Sequence, residues 1–412
     1  TLNAGGTVTA DVEAATSMTV AGAKTITLTE DGGGVDLATV NATVKTEATT
    51  IDVKGAAGVK TVFVSGDQDY TLVMSAGAIE TAGGKVTVTD STTAGTSTLK
   101  LGTLKGTVDA SANVFDNINL AVTNDAETLT VASGQKVTHS VDLEAGDTAT
   151  IAGKAATAAT NTVTLNLDDG TDAVTTTSVD ILGTLAFSNV AEATINANLE
   201  QLVDGSNETH VIDAITGSGA TVTINMGAND LSLTGAVNLG ANDSLTITGS
   251  GKVTGDGTEA ITAKAIVASA VTGVVTLLEI QSDQVGSVTT GAGNDVIETT
   301  DHEVNGANKD LSISTGKGND KLTLHAEGAD GESLTIDMGE GTDTLAFADD
   351  QTMTRTGTDL NTIAGVEKLT YGGAFTVDSS AISGQTWEIS ESASAVDNLT
   401  VTVLASDTSI DL

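Results

Sequence analysis

Gly291-Ala292-Gly293-Asn294-Asp295-Val296-Ile297, Gly316-Lys317-Gly318-Asn319-Asp320-Lys321-Leu322 and Gly339-Glu340-Gly341-Thr342-Asp343-Thr344-Leu345 are three copies of one unit, G-x-G-[N/T]-D-x-aliphatic. The glycines give the backbone the freedom a tight turn needs. The Asp closes the turn, and the aliphatic residue two positions later opens a strand and points to the core. The aspartates lie 25 and 23 residues apart (320 − 295 and 343 − 320), about one coil of a solenoid. Outward from this trio the strand signal continues. Thr7-Val8-Thr9, Thr25-Ile26-Thr27-Leu28, Lys85-Val86-Thr87-Val88-Thr89, Thr162-Val163-Thr164-Leu165 and Thr221-Val222-Thr223-Ile224 alternate Thr with aliphatic residues. That is the period of a strand with one apolar and one hydroxyl face. Helical spacing is scarce; residues 198–203 are predicted to form one short helix. The chain reads as all-β.

Internal repetition supports stacked coils. Ala21-Gly22-Ala23-Lys24-Thr25-Ile26-Thr27-Leu28 aligns without a gap on Ala57-Gly58-Val59-Lys60-Thr61-Val62-Phe63-Val64. The segment 142–151 repeats at 238–247, and 164–172 at 335–343. The copies are imperfect and unevenly spaced, so the expected architecture is an irregular parallel β-solenoid of the β-helix or β-roll kind. The core residues are small aliphatics, and aromatics are only 2% of the chain. A thin core repeated coil by coil suits that composition better than one wide core. Two domains are expected, a weakly repetitive solenoid over 1–210 and a turn-rich solenoid over 211–412, with the break near 204–218.

Composition removes several function classes. The 412 residues carry 55 acidic and 16 basic side chains, a net charge of −39, with no Cys and no Pro. Hydrophobic residues at 39% and charged residues at 17% are proportions of a folded chain, not of an acidic disordered one. A cationic groove and stacking aromatics are both lacking, so nucleic acid is not an expected partner. An anionic membrane surface repels such a chain. No run approaches the ~20 apolar residues of a membrane span. Thr1-Leu2-Asn3-Ala4 has no charged or apolar leader character, so no signal peptide is expected. A strongly acidic exported chain without disulfides calls for another staple. Ca²⁺ is the hard cation that carboxylates and carbonyls prefer.

The trio supplies the chemistry for it. One turn cannot offer the 6–8 oxygens Ca²⁺ takes, but two turns stacked in register can. The expected ligand turns are therefore Gly291, Gly293 and Asp295; Gly316, Gly318 and Asp320; and Gly339, Gly341 and Asp343. Asp172, Asp230 and Asp243 lie in weaker versions of the turn and are further candidates, while Asp147 reads as a plain polar turn. Catalytic constellations are not found. The four histidines form no H-E-x-x-H and are expected as exposed polar residues. There is no G-x-S-x-G, and Gly32-Gly33-Gly34 lacks the Lys of a phosphate loop. Asp168-Asp169 and Asp349-Asp350 read as solvated turns or extra cation ligands rather than a glycosidase pair. No enzyme activity is expected.

The trio resembles the calcium-binding nonapeptide of the RTX (repeats-in-toxin) proteins, G-G-x-G-x-D-x-U-x. The resemblance implies a β-roll in which turns on successive coils sandwich Ca²⁺. The first Gly of that motif is absent from all three copies, where Thr290, Thr315 and Met338 stand. Tandem nonapeptides are also absent, so the implied arrangement is one calcium turn per coil along a single edge. Leu360-Asn361-Thr362-Ile363-Ala364-Gly365-Val366-Glu367-Lys368-Leu369-Thr370, and more loosely 189–195, are similar to strand signatures of RTX-type surface-layer proteins of Gram-negative bacteria. The resemblance is specific over 225–412 and compositional before it. It implies type I secretion, a cell-surface location, and calcium-dependent self-assembly into a lattice, with a cell-surface polysaccharide as a further partner. A segment of an RTX adhesin or biofilm-matrix filament is the alternative. An ice- or sugar-binding solenoid is a more distant rival, since the Thr ranks are irregular.

Overall fold

The computed structural model describes residues 2–3, 5–11, 16–29, 37–45, 47–56, 58–75, 86–102, 104, 106–123, 126–141, 143, 147–154, 160–167, 179–198, 209–240, 242–255, 257, 260–281, 285–300, 310–325, 334–348, 351–353, 362–372, 374–378, 386–391 and 398–402. Among them every regular element is a β-strand, and the chain is a parallel β-solenoid of about 12 turns. The helix expected over 198–203 falls, apart from Asn198, outside the described residues. The chain divides into two compact units, Thr1–Gly170 with Ala186–Ala193, and Thr171–Leu185 with Thr194–Leu412.

In the first unit, strands Thr7–Asp11, Thr25–Thr29, Thr49–Gly55, Tyr70–Met74, Ser97–Leu101, Asn117–Thr123, Lys136–Val141 and Asn161–Leu167 follow one another in one parallel sheet. Each coil crosses to an opposite sheet before it returns. The opposite strands are Leu2–Asn3, Ser17–Ala21, Thr39–Val44, Thr61–Gly66 and Thr87–Thr92, then a separate run of Gly106–Asp109, Glu127–Val131 and Thr148–Gly153. The register explains why a narrow aliphatic core suffices. Ile26, Ile51, Leu72, Leu99, Ile118, Val137 and Val163 stand in one column, each paired with the next coil's equivalent and each buried. The Thr residues between them face outward. A one-residue slip would turn the aliphatic set to solvent, so the alternation itself sets the register. Each such side chain contributes about 1.5–3 kcal/mol on burial.

The second unit repeats the design. Val222, Leu245, Ile266, Val288, Ile313, Ile336 and Ile363 make one buried column. Leu277, Ile297, Leu322, Leu345 and Leu369 make the opposing one. Register shifts at Asn225/Gly227 and Leu277/Ile280 absorb coils of unequal length. These bulges are the structural counterpart of the uneven repeat spacing.

Two histidines depart from the sequence expectation. His139 and His210 are fully buried, not exposed. His139 occupies a core column between Leu120 and Leu165 and is tolerated there because Glu127, on the opposite sheet, pairs with it. The Nε2 of His210 contacts the Asn229 amide at 3.3 Å. His325 is partly exposed and pairs with Glu298 at 3.0 Å, while His302 lies outside the described residues.

Candidate functional site

The three G-x-G-[N/T]-D turns stack on one edge of the second unit. Asp295, Asp320 and Asp343 immediately precede the strands Val296–Thr299, Lys321–Leu324 and Thr344–Phe347, which are neighbours in one sheet. Strand pairing therefore places the aspartates one above another. Their side chains turn into the protein: Asp295 and Asp343 are 0% exposed and Asp320 is 2% exposed.

Each carboxylate caps the coil before it. Asp295 Oδ1 accepts the Val275 N–H at 2.8 Å, Asp320 Oδ1 accepts the Asp295 N–H at 2.7 Å, and Asp343 Oδ1 accepts the Asp320 N–H at 2.7 Å. Glu367 continues the column by accepting the Asp343 N–H at 2.8 Å. The other oxygen, Oδ2, of all three aspartates is buried and makes no well-formed hydrogen bond. The Thr290 and Thr315 hydroxyls lie close enough to Asp295 and Asp320 to offset part of the effect of burial, but each hydroxyl proton is given to a carbonyl instead. Burial raises the pKa of all three carboxyls. For Asp343 burial comes first, with the nearby charges of Asp320 and Glu367 adding to it against the Asp320 N–H. The carboxyl is pushed up to about 6.

The glycines have a packing reason that motif reading alone does not supply. A Cβ on Gly316 would lie 2.1 Å from the Gly291 carbonyl oxygen, and one on Gly318 1.9 Å from that of Gly293. On Gly339 and Gly341 the distances to Gly316 O and Gly318 O are 1.8 and 1.6 Å. Each turn thus sits in backbone contact with the one before. The Gly291 and Gly316 carbonyls accept the N–H groups of Lys317 and Glu340 on the following coil, at 2.9 and 2.8 Å. These carbonyls therefore run along the stack. Gly318→Ala should be among the most damaging small substitutions, because φ is +134° there and the carbonyl cannot retreat. A loss above roughly 3 kcal/mol in urea unfolding is expected; an effect under about 1 kcal/mol contradicts the close stacking.

Sequence reading missed two supporting ladders. Thr290 and Thr315 stand where the nonapeptide has its first Gly. Both are buried, and their hydroxyls donate to the carbonyls of Thr315 and Met338 at 2.9 and 2.8 Å. Asn294 and Asn319 accept the N–H groups of Asn319 and Thr342 at 2.8 and 2.9 Å. Their common place in the repeat was the available signal. Glu367 had none, since its turn carries no second Gly.

The weaker candidates do not join the column. Asp230 Oδ1 accepts the Lys252 N–H at 2.7 Å, from the following coil rather than the preceding one. Asp243 Oδ2 accepts the Gly219 N–H at 2.7 Å and stands before Ser244–Gly249, in the opposite sheet. Asp172 lies outside the described residues, as do Asp168-Asp169 and Asp349-Asp350.

As a donor set for a cation, the column offers one free carboxylate oxygen per coil. Among the described residues no three His, Asp or Glu side chains form a single metal-holding group. A cation here would therefore be held by one or two carboxylates with backbone and hydroxyl oxygens completing its shell. An all-oxygen set of that kind suits Ca²⁺ better than Zn²⁺, which favours nitrogen and sulfur ligands. Compared with protein-family models, curated proteins and solved structures, the chain matches none.

Proposed function

We propose that this chain is a structural protein, an exported β-solenoid stapled by Ca²⁺ that assembles with copies of itself into a surface layer on the cell. The observation that carries the reading is a contrast between the two units. Comparable caps recur in the first unit, built from the buried amides Gln135, Asn161 and Asn113, while an Asp counterpart there, Asp116, accepts the Ser97 N–H at 2.8 Å from an exposed position. Gln135 accepts the Phe115 N–H at 2.8 Å, Asn161 accepts the Gln135 N–H at 2.8 Å, and Asn113 accepts the Val88 N–H at 3.0 Å. The Nδ2 groups of Asn161 and Asn113 then donate to the carbonyls of Asn189 and Val86, both at 3.3 Å. An amide can thus do the capping and satisfy both its polar atoms. In the second unit the cap is a buried Asp three times over, and Oδ2 of each makes no well-formed hydrogen bond. A buried unpaired carboxylate is costly, so its recurrence at the one repeated motif supports a cation as the missing partner.

Asp295, Asp320 and Asp343 would hold the ion, which would supply positive charge and a bridge between coils. The glycines would keep the turns close enough to share it. The net charge of −39 gives the wider logic. Without cations, mutual repulsion opposes compaction. Where Ca²⁺ is plentiful, it binds the folded state alone and shifts the equilibrium toward it. Folding is thereby deferred until export, and acidic surfaces of neighbouring copies gain a bridging ion. The experiment is chelation followed by circular dichroism and dynamic light scattering. With EDTA the strand signal should weaken and particles should shrink to monomers, and Ca²⁺ but not Mg²⁺ should restore both. Unchanged spectra and particle size on chelation would remove calcium from the mechanism.

A further inference from the structure

The first unit carries an aromatic side chain where its own construction principle does not place one. Strand Thr61–Gly66 alternates buried Val62 and Val64 with outward residues, and the outward residue at its centre is Phe63, 42% exposed. Phe115, Phe187, Phe347, Tyr70 and Tyr371 are all buried. Leaving a Phe in water forgoes about 1.5–3 kcal/mol of burial, in a chain that has few aromatics to spend. Its neighbours on the same face are polar. Asn41 and Thr89 flank it on the adjoining strands, and Thr43, Ser65 and Ser91 form the next row. The face then runs into a groove of about 440 Å³ lined by Lys45, Gly66, Asp67, Ser91 and Thr93. The groove continues the same rows, and Gly66 in its lining packs directly on the Val44 backbone, where a Cβ would lie 1.8 Å from the carbonyl oxygen.

We infer that this face binds an uncharged polysaccharide, with Phe63 stacked under one pyranose ring and the groove taking the hydroxyls of the next. A pyranose has a flat C–H face rimmed by hydroxyls. It needs an apolar plate surrounded by hydrogen-bonding groups, and a single ring amid Thr, Ser and Asn on a flat sheet is that combination. The groove adds both a cationic donor, Lys45, and a carboxylate acceptor, Asp67, at a volume within the range of ligand sites. Charge decides among ligands with flat faces. A molecule at −39 repels nucleic acids and acidic polysaccharides alike, which leaves the neutral polymers. The inference is independent of calcium, because none of these residues belongs to the aspartate column.

The test is native electrophoresis of the full chain through gels containing dextran, galactomannan, amylopectin or laminarin, with alginate as the acidic comparison. Retardation by at least one neutral polymer is expected, weakened about tenfold by Phe63→Ala and kept by Phe63→Trp. Val114→Ala, at a 68% exposed apolar side chain off this face, should leave retardation unchanged. Phe63 is a surface residue, and circular dichroism of its variants is the check that they fold. Four outcomes overturn the inference: no retardation by any neutral polymer, equal retardation of Phe63→Ala, stronger retardation by alginate, or a Phe63→Ala variant whose only change is loss of self-association in sedimentation. The last would assign the face to contact between copies.

Discussion

Asp320→Asn should raise the stability of the calcium-free chain while abolishing much of the gain that calcium brings. Asp320 caps the Asp295 N–H through one oxygen, and an Asn carbonyl oxygen can keep that bond. The buried second oxygen, which makes no well-formed hydrogen bond in the wild type, becomes an amide group able to donate to a carbonyl, as Asn161 and Asn113 do in the first unit. Removing a buried unsatisfied charge is worth roughly 1–3 kcal/mol in the absence of metal. In saturating Ca²⁺ the sign reverses. A ligand at a hundredfold its Kd stabilises by about 2.7 kcal/mol, and the variant gives up its share of that. The crossing of the two melting curves is the diagnostic feature. Urea titrations of wild type and variant, each in EDTA and in millimolar Ca²⁺, would show it. A variant less stable than wild type in EDTA would mean that the carboxylate is needed for the fold itself and that no cation is implied.

The same column sets a pH dependence with a definite sign. The Asp343 carboxyl is raised from its ordinary 3.8 to about 6 by burial and by the Asp320 and Glu367 charges, and burial raises Asp295 and Asp320 as well. In calcium-free solution the folded state therefore binds more protons than the unfolded state between these two values. The stability contributed by the protonated carboxyl is full below 3.8 and is lost as pH rises to about 6. Calcium needs the deprotonated form, so its affinity should climb over the same window. Melting temperature in EDTA should fall from pH 4 to pH 6.5, and in Ca²⁺ it should not.

The fold was legible in the sequence because a single pattern, Thr alternating with an aliphatic residue, determines strand, register and core together. Ile26 to Val163 form a column because each holds an inward place in its strand's alternation, with Thr on both sides of Ile26 and Val163 and Asp, Val, Lys or Asn among the neighbours elsewhere. The coil length was legible from the spacing of Asp295, Asp320 and Asp343. What the sequence could not convey is where a side chain spends its hydrogen bonds. G-x-G-N-D reads from sequence as an ion-binding turn whose glycines supply backbone freedom, and the structure adds a use that reading did not contain, the close stacking of successive backbones at the glycines. It also shows why Thr can replace the first motif Gly, since the hydroxyls of Thr290 and Thr315 tie one coil to the next. The buried histidines were illegible for a different reason. His139 stands in Lys136-Val137-Thr138-His139-Ser140-Val141, at an inward position of the alternation. Its partner Glu127 is on another strand, and the pair is visible only once the coil closes.

That pair should carry the largest single-residue effects in the first unit. His139 is fully buried, its ring held against the Glu127 carboxylate across the core, with Leu120 and Leu165 above and below it. His139→Leu fills its column with the residue type already present in the adjoining coils, so packing is conserved and the lost partner is isolated as the cause. The substitution leaves Glu127 alone among aliphatic side chains, at a cost of about 3–5 kcal/mol. Glu127→Leu strands the imidazole in the same way, and a buried unsatisfied polar group costs roughly 1–3 kcal/mol. The double variant removes both obligations. A buried polar or charged pair exchanged for apolar residues of similar volume is often neutral, or stabilising by about 1–4 kcal/mol. The double variant should therefore unfold at or above the wild-type urea midpoint although each single variant falls far below it. The double-mutant cycle then yields a coupling energy above about 2 kcal/mol, large for side chains in direct contact. Additive single effects would show that Glu127 and His139 are each satisfied by something other than the partner across the core.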